Sequence, residues 1–90
     1  MDGTTVKNEI DSRYILRVFE KIRQHGESIN AEYHLDGLKA FTDFDGYTVF
    51  IEDARVKLRF GFHNQYHFDY ESQEHFDDFE KKLKQIDTNY

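Results

Sequence analysis

One stretch decides the fold: residues 38–52, which read LKAFTDFDGYTVFIE. An Asp-Gly pair lies near the centre, and on each side of it every second residue belongs to one mainly apolar set. Such a pair favours a type I′ turn, because both central residues of that turn need a positive φ. The stretch is therefore predicted to form a β-hairpin in which Phe44 faces Tyr47 and Ala40 faces Ile51.

Two further short loops give the same division of side chains between the faces. The loops at Asp36-Gly37 and Asp53-Ala54 pair apolar residues with apolar residues, and the second is predicted to place Val56 opposite Ile51. A one-residue slip in any of these loops would move the apolar set to the other face. Their agreement predicts an antiparallel meander of five strands over about residues 33–70.

The last loop of the meander has two solutions. A three-residue loop over 64–66 pairs Phe62 with Phe68, whereas a two-residue turn would put His67 and Asp69 on the core face. We favour the three-residue loop, because it buries aromatic rings rather than two ionisable groups.

In the segments before and after the predicted strands, apolar residues recur at helical spacing. A first helix is predicted over about 12–25, ended by Gly26 as a C′ residue with a positive φ. A second is predicted over about 73–86, with Ser72 as its N-cap. The expected fold class is α+β, in the order α-β-β-β-β-β-α. Both helices are expected to pack on one face of the sheet, which gives two layers.

Composition bounds the class of protein. The 90 residues allow a single domain spanning 1–90, in which 1–10 is expected to fray. The sequence has no cysteine, which excludes disulfides, a thiol nucleophile and thiolate metal sites. The sequence has no apolar run of about 18 residues and no signal-peptide pattern, so a cytoplasmic protein without membrane contact is expected.

Neither catalysis nor a cofactor is expected. The five glycines are scattered and form no phosphate-binding loop, and no Ser-His-Asp arrangement can be argued. The net charge of −6 opposes non-specific binding to nucleic acid. The protein is expected to be non-enzymatic and to act by binding a protein partner or a second copy of itself.

The best candidate contact surface is the sheet face opposite the helices. The register places Phe41 directly opposite Phe50 there, with Lys39 and Glu52 beside them. Two phenylalanines with a rim of charges are typical of a protein contact surface. The alternative is that lysine stems simply cover the two rings.

A basic stripe provides an alternative function. Arg55, Lys57 and Arg59 are predicted on one strand, spaced by about 6.7 Å, which is close to the phosphate spacing of a nucleic-acid strand. With aromatic residues beside them, they could hold a single strand weakly. The simpler interpretation, which we favour, is a solvated sheet face.

One cluster could hold a divalent metal. The three-residue loop places His63 opposite His67, and Asp69 follows on the same face. Two imidazoles and a carboxylate suit a divalent cation, but a fourth ligand is not assigned. No metal is therefore expected.

Four segments carry a resemblance to a known family. They are 18–26 (VFEKIRQHG), 35–37 (LDG), 42–47 (TDFDGY) and 62–70 (FHNQYHFDY). In wording and spacing the chain resembles a small bacterial family of unknown function whose members are single domains of about this length. The resemblance implies a compact bacterial protein and no activity or functional residues.

Overall fold

Two helices flank a run of six strands in the part of the chain that the structure describes. The computed structural model describes residues 12–44, 46–61 and 65–90, so the predicted fraying of 1–10 lies outside it. The elements are α1 (Ser12–His25), β1 (Glu27–Ile29), β2 (Glu32–Leu35), β3 (Leu38–Thr42), β4 (Val49–Glu52), β5 (Lys57–Gly61), β6 (Gln65–Asp69) and α2 (Gln73–Asn89).

The six strands form one antiparallel sheet in the order β1-β2-β3-β4-β5-β6. The predicted α+β class and antiparallel meander are confirmed, but the prediction of five strands is wrong. The additional strand, β1, joins β2 through a turn at Asn30 and Ala31, whose φ values are 52° and 68°. The turn has the positive φ values of a hairpin without a glycine, which is why the sequence pattern did not reveal it.

The central hairpin has the predicted register. Ala40 lies opposite Ile51, and Phe41 lies opposite Phe50. The preceding turn also has the predicted geometry, since Asp36 and Gly37 have φ values of 51° and 86°. The sheet face of every residue in β3 and β4 therefore follows from the sequence pattern.

The tip of this hairpin is not part of the core. The ladder of β3 and β4 ends at Thr42 and Val49. Phe44 is fully exposed and Tyr47 is about two-thirds exposed, so their predicted place in the apolar set is wrong. Beyond the end of the ladder, Phe44 and Tyr47 do not reach the packed core.

The loop between β4 and β5 is two residues longer than predicted. Ile51 pairs with Leu58 and not with Val56. The longer loop is closed by Asp53, whose carboxylate accepts hydrogen bonds from the backbone N–H groups of Arg55 at 2.8 Å and Val56 at 2.7 Å. A shift of two residues keeps each side chain on its predicted face, because the side-chain period of a strand is two.

The β5–β6 register also shifts by an even number of residues. Phe68 pairs with Leu58 rather than with Phe62, and Phe60 pairs with Tyr66. Residues 62–64 separate the two strands and lie outside the described residues. Tyr66 belongs to β6 and not to the loop, since it pairs with Phe60 across the two strands. Its ring packs edge-on against Phe68 with centroids 5.9 Å apart. Phe68 still faces the core, as predicted.

One hydrophobic core joins the two helices to the inner face of the sheet. Helix α1 packs against β2 and β3. Helix α2 reaches β6, where Phe76 and Phe79 meet Phe68 edge-on at centroid distances of 4.9 Å and 6.3 Å. The fully buried side chains come from both helices and from the sheet, and they include Ile15, Val18, Ile22, Leu38, Ile51, Leu58, Phe79, Leu83 and Ile86.

The helix ends agree with the predictions in place, except that α2 continues to Asn89, three residues beyond its predicted end at about 86. The physical cause of each end is not always the predicted one. Ser72 caps α2, since its hydroxyl accepts a hydrogen bond from the His75 N–H at 3.2 Å. Gly26 follows α1 as predicted, but it does not have a positive φ. A Cβ at Gly26 would lie 2.6 Å from the Ile22 carbonyl oxygen and 2.7 Å from that of His34. Glycine is needed there because two backbone segments approach closely.

Candidate interaction surface

The face of the sheet turned away from both helices is here called the outer face. Its side chains come from alternate residues of six strands, which follows from the observed registers. They are Glu27, Ile29, Glu32, His34, Lys39, Phe41, Phe50, Glu52, Lys57, Arg59, His67 and Asp69. Three of them are cations (Lys39, Lys57, Arg59) and four are carboxylates (Glu27, Glu32, Glu52, Asp69), so the charge of this face is close to balanced.

A stacked pair of phenylalanines lies at the centre of the outer face. The rings of Phe41 and Phe50 are 4.8 Å apart at an angle of 12°. Both side chains are only half-buried, although they belong to β3 and β4, the two middle strands of the sheet. The pair forms a small apolar patch that neither α1 nor α2 covers.

Charged side chains surround this apolar patch. The Nζ atom of Lys39 lies 3.6 Å from Glu52 Oε1 and 3.9 Å from Glu32 Oε2. The same Nζ lies 5.7 Å from the centroid of the Phe41 ring, so it also makes a cation–π contact. Lysine therefore covers part of one ring, as the alternative interpretation predicted, while both rings keep exposed surface.

The registers arrange the outer face in two rows that cross the strands. The ionic row contains Lys39, Glu52, Lys57 and Asp69, each paired with the next across adjacent strands. Its charges alternate in sign along the row. The aromatic row lies beside it and contains Phe41, Phe50, Arg59 and His67 in the same order of strands.

The predicted basic stripe is incomplete. Arg55 lies in the β4–β5 loop and not in β5, so only Lys57 and Arg59 remain on the strand. The Nη1 atom of Arg55 lies 2.8 Å from Nε2 of His75 in α2. A guanidinium can only donate, so Nε2 accepts this hydrogen bond and the imidazole proton resides on Nδ1, which is buried without a partner.

The predicted metal cluster does not form as expected. Arg59, and not His63, is the strand partner of His67, and Lys57 is the partner of Asp69. A cation therefore lies beside His67 and another beside Asp69. His63 lies outside the described residues, and among the residues that are described no three His, Cys, Asp or Glu side chains come together.

The structure reveals a cleft that sequence reasoning missed. It has a volume of about 440 Å³ and is lined by Ala54, Arg55, Lys57, Asp69, Tyr70, Glu71 and His75. The lining contains two cations, Arg55 and Lys57, and two carboxylates, Asp69 and Glu71. The opposite charges balance, so the cleft has no strong preference for a charged ligand. No local sequence signal joins Arg55 to His75, because the β4–β5 loop and α2 meet only in the folded chain.

Two carboxylates fix the helices over the sheet. Burial alone would raise the pKa of Asp53, but hydrogen bonds from Arg55, Lys82 and Val56 together lower it. The bond from Lys82 Nζ, at 3.0 Å, ties α2 to the β4–β5 loop. On the other side, the hydrogen bond from Arg17 lowers the pKa of Asp87 to about 2 and joins α1 to α2. Both helices are thus held on the face opposite the phenylalanine pair.

Among the described residues, no helix has the length and apolar character needed to cross a membrane.

Comparison with known proteins shows which family the chain belongs to. No curated protein and no solved structure matches the chain. A family model with the description "protein of unknown function" matches residues 10–90, nearly the whole sequence. The chain therefore belongs to the DUF3081 family, whose function is unknown, which confirms the resemblance seen in the sequence.

Proposed function

We propose that this protein is a small non-enzymatic module of the bacterial cytoplasm that binds a protein partner through its outer face. The observation that carries the proposal is the stacked Phe41–Phe50 pair, half-buried on the face that neither α1 nor α2 covers. The complete absence of cysteine fits a reducing compartment.

The arrangement around the two rings supports a protein contact. Interfaces place aromatic anchors at the centre and charged groups at the rim, where water screens them. Here Lys39 and Glu52 lie beside the rings and hold each other in place across the strands at 3.6 Å. The partner that fits is a protein surface with an apolar centre and flanking charges of both signs.

Binding of single-stranded nucleic acid is the less well supported alternative. Arg55 bonds to His75 outside the strand, and Lys57 lies between Glu52 and Asp69 in the ionic row. Those carboxylates would repel a phosphate backbone, as would the net charge of −6. Such binding would show an affinity that falls steeply as the salt concentration rises.

A photoreactive phenylalanine analogue at position 50 tests the proposal in cells. The matched control carries the analogue in place of Leu16, an apolar residue that is 42% exposed on α1. Illumination should give a defined protein adduct from position 50 and none from position 16. Equal labelling from both positions, or no adduct from position 50, would contradict a contact through the outer face.

A further inference from the structure

We propose that the partner on the outer face is a second copy of this chain. The two copies stack face to face about a two-fold axis that runs parallel to the strands, between β3 and β4. This inference rests on the proposed function, because it names the partner of the same surface. It is carried by the charge pattern of the two rows, which is complementary to itself under that rotation.

The position of the axis decides which strands meet. Rotation about it places β3 of one copy over β4 of the other and β2 over β5, and it keeps each row over its own counterpart. Phe41 then lies over Phe50 of the second copy, and Phe50 over its Phe41. The four rings form one apolar centre, from which the two copies together exclude water.

The same rotation pairs opposite charges on either side of the rings. In the ionic row, Lys39 meets Glu52 of the second copy, and Glu52 meets its Lys39. Glu32 lies level with Phe41 on β2 and meets Arg59 of the second copy on β5. Symmetry adds the matching contact of Arg59 with Glu32 of the second copy, which gives four favourable contacts around the apolar centre.

Like charges meet only at the margin. The outermost strands bring Glu27 opposite Asp69 of the second copy, and both side chains are exposed to solvent, where screening is strongest. A two-fold axis across the strands would instead place the ionic row on the aromatic row, and so charges on phenylalanines. The axis parallel to the strands is therefore the arrangement that the face supports.

The size of the face sets the expected affinity. Six strands at about 4.8 Å spacing make it about 29 Å wide, and four to five residues make each central strand about 15 Å long. A flat contact of that size buries roughly 400 Å² per copy, which is below the size of standard specific interfaces and in the range of weak, transient contacts. The dimer is therefore expected to be weak and reversible.

Charge reversal across the proposed axis provides the test. Lys39→Glu places like charges at both Lys39–Glu52 contacts, and Glu52→Lys does the same with the opposite sign. In sedimentation equilibrium the wild type should dimerise. Each variant alone should associate at least about tenfold more weakly than the wild type. An equimolar mixture of the two variants should recover dimers, because each then meets its complement. Lys84→Glu, on the exposed side of α2, changes the net charge by the same amount as Lys39→Glu and should leave the dimer intact.

The outcomes separate this inference from the proposed function. Recovery in the mixture supports the two-fold arrangement, since loss of folding in either variant could not produce it. If Lys39→Glu unfolds, Arg59→Glu mixed with Glu32→Arg applies the same test to the neighbouring contact. A wild type that stays monomeric, or a dimer that the reversals do not change, overturns the inference. If the wild type is a monomer but position 50 still forms adducts with another protein, only the proposal that the partner is a second copy is overturned. A monomer without adducts overturns both proposals.

Discussion

Replacing Asp53 by alanine is expected to lower the free energy of unfolding by about 2–4 kcal/mol. The side chain is only 5% exposed and serves three donors. Its Oδ1 atom accepts hydrogen bonds from the backbone N–H groups of Arg55 and Val56, and its Oδ2 atom accepts one from Lys82 Nζ at 3.0 Å. One carboxylate thus closes the β4–β5 loop and attaches α2 to it.

The magnitude follows from what each donor loses. Val56 is fully buried, so its N–H group would remain without a partner, which costs about 1–3 kcal/mol. The Arg55 residue is exposed, so water can replace the bond to its N–H. The side chain of Lys82 is 37% exposed, and loss of its ion pair costs about 0.5–1 kcal/mol. Because the pKa of Asp53 is lowered in the fold, its contribution is present above the ordinary carboxyl pKa and is lost as the pH falls.

Two variants separate the loop from the ion pair. Asp53→Asn keeps one oxygen acceptor for both N–H groups but replaces the other oxygen by an NH2 donor, so the bond from Lys82 and the charge are lost. This variant is expected to cost about 1 kcal/mol. Lys82→Met keeps the apolar stem and is expected to cost up to about 1 kcal/mol. Urea unfolding followed by circular dichroism measures all three, with unchanged m-values as the check on two-state behaviour. The reasoning is refuted if Asp53→Ala lies within 0.5 kcal/mol of wild type, or if Asp53→Asn costs as much as Asp53→Ala.

Two further predictions concern pH and close packing. Asp87 has a pKa of about 2 against an ordinary value of 3.8, so it stabilises the fold above pH 3.8 and this stabilisation is lost as the pH falls to about 2. After allowance for the half-exposed Arg17, the contribution is about 1 kcal/mol, and Asp87→Asn should remove that part of the pH dependence in urea titrations between pH 2 and 5. Gly26→Ala should cost about 1–3 kcal/mol, because the new Cβ would overlap two carbonyl oxygens. Gly46→Ala, with a φ of 79° and no atom within 4 Å of the new Cβ, should cost about 1 kcal/mol, and a larger loss at position 46 than at 26 would contradict the close approach.

The sheet faces could be predicted from the sequence, whereas the loop lengths could not. An even shift in register leaves every side chain on the same face, so the apolar pattern is satisfied equally by Ile51 opposite Val56 or opposite Leu58. What selects Leu58 is the Asp53 carboxylate, which closes a longer loop by accepting from two backbone N–H groups. Periodicity carries no information about that bond.

Features that depend on tertiary contacts also could not be predicted from the sequence. Strand β1 begins directly after α1, and its turn uses Asn30 and Ala31 in place of an Asp-Gly or Asn-Gly pair. Arg55 looked like the first residue of a basic stripe because it alternates with Lys57 and Arg59 along the chain. The longer β4–β5 loop removes Arg55 from the strand and brings it to His75. In both places a local pattern was present, but the chain geometry around it determined the outcome.

The outer face was predictable because the same alternation that selects the core also selects what the core leaves out. Ala40 and Ile51 provide the fully buried contacts of the central hairpin on its inner face. The cross-strand pair on the other face contributes about 0.2–1 kcal/mol, which threonine or valine residues could provide with less exposed apolar surface. Folding therefore does not require phenylalanine at positions 41 and 50. A surface that keeps two stacked rings half-exposed among charges of both signs fits the proposed contact with another protein surface, and the self-complementary rows make a second copy the partner to test first.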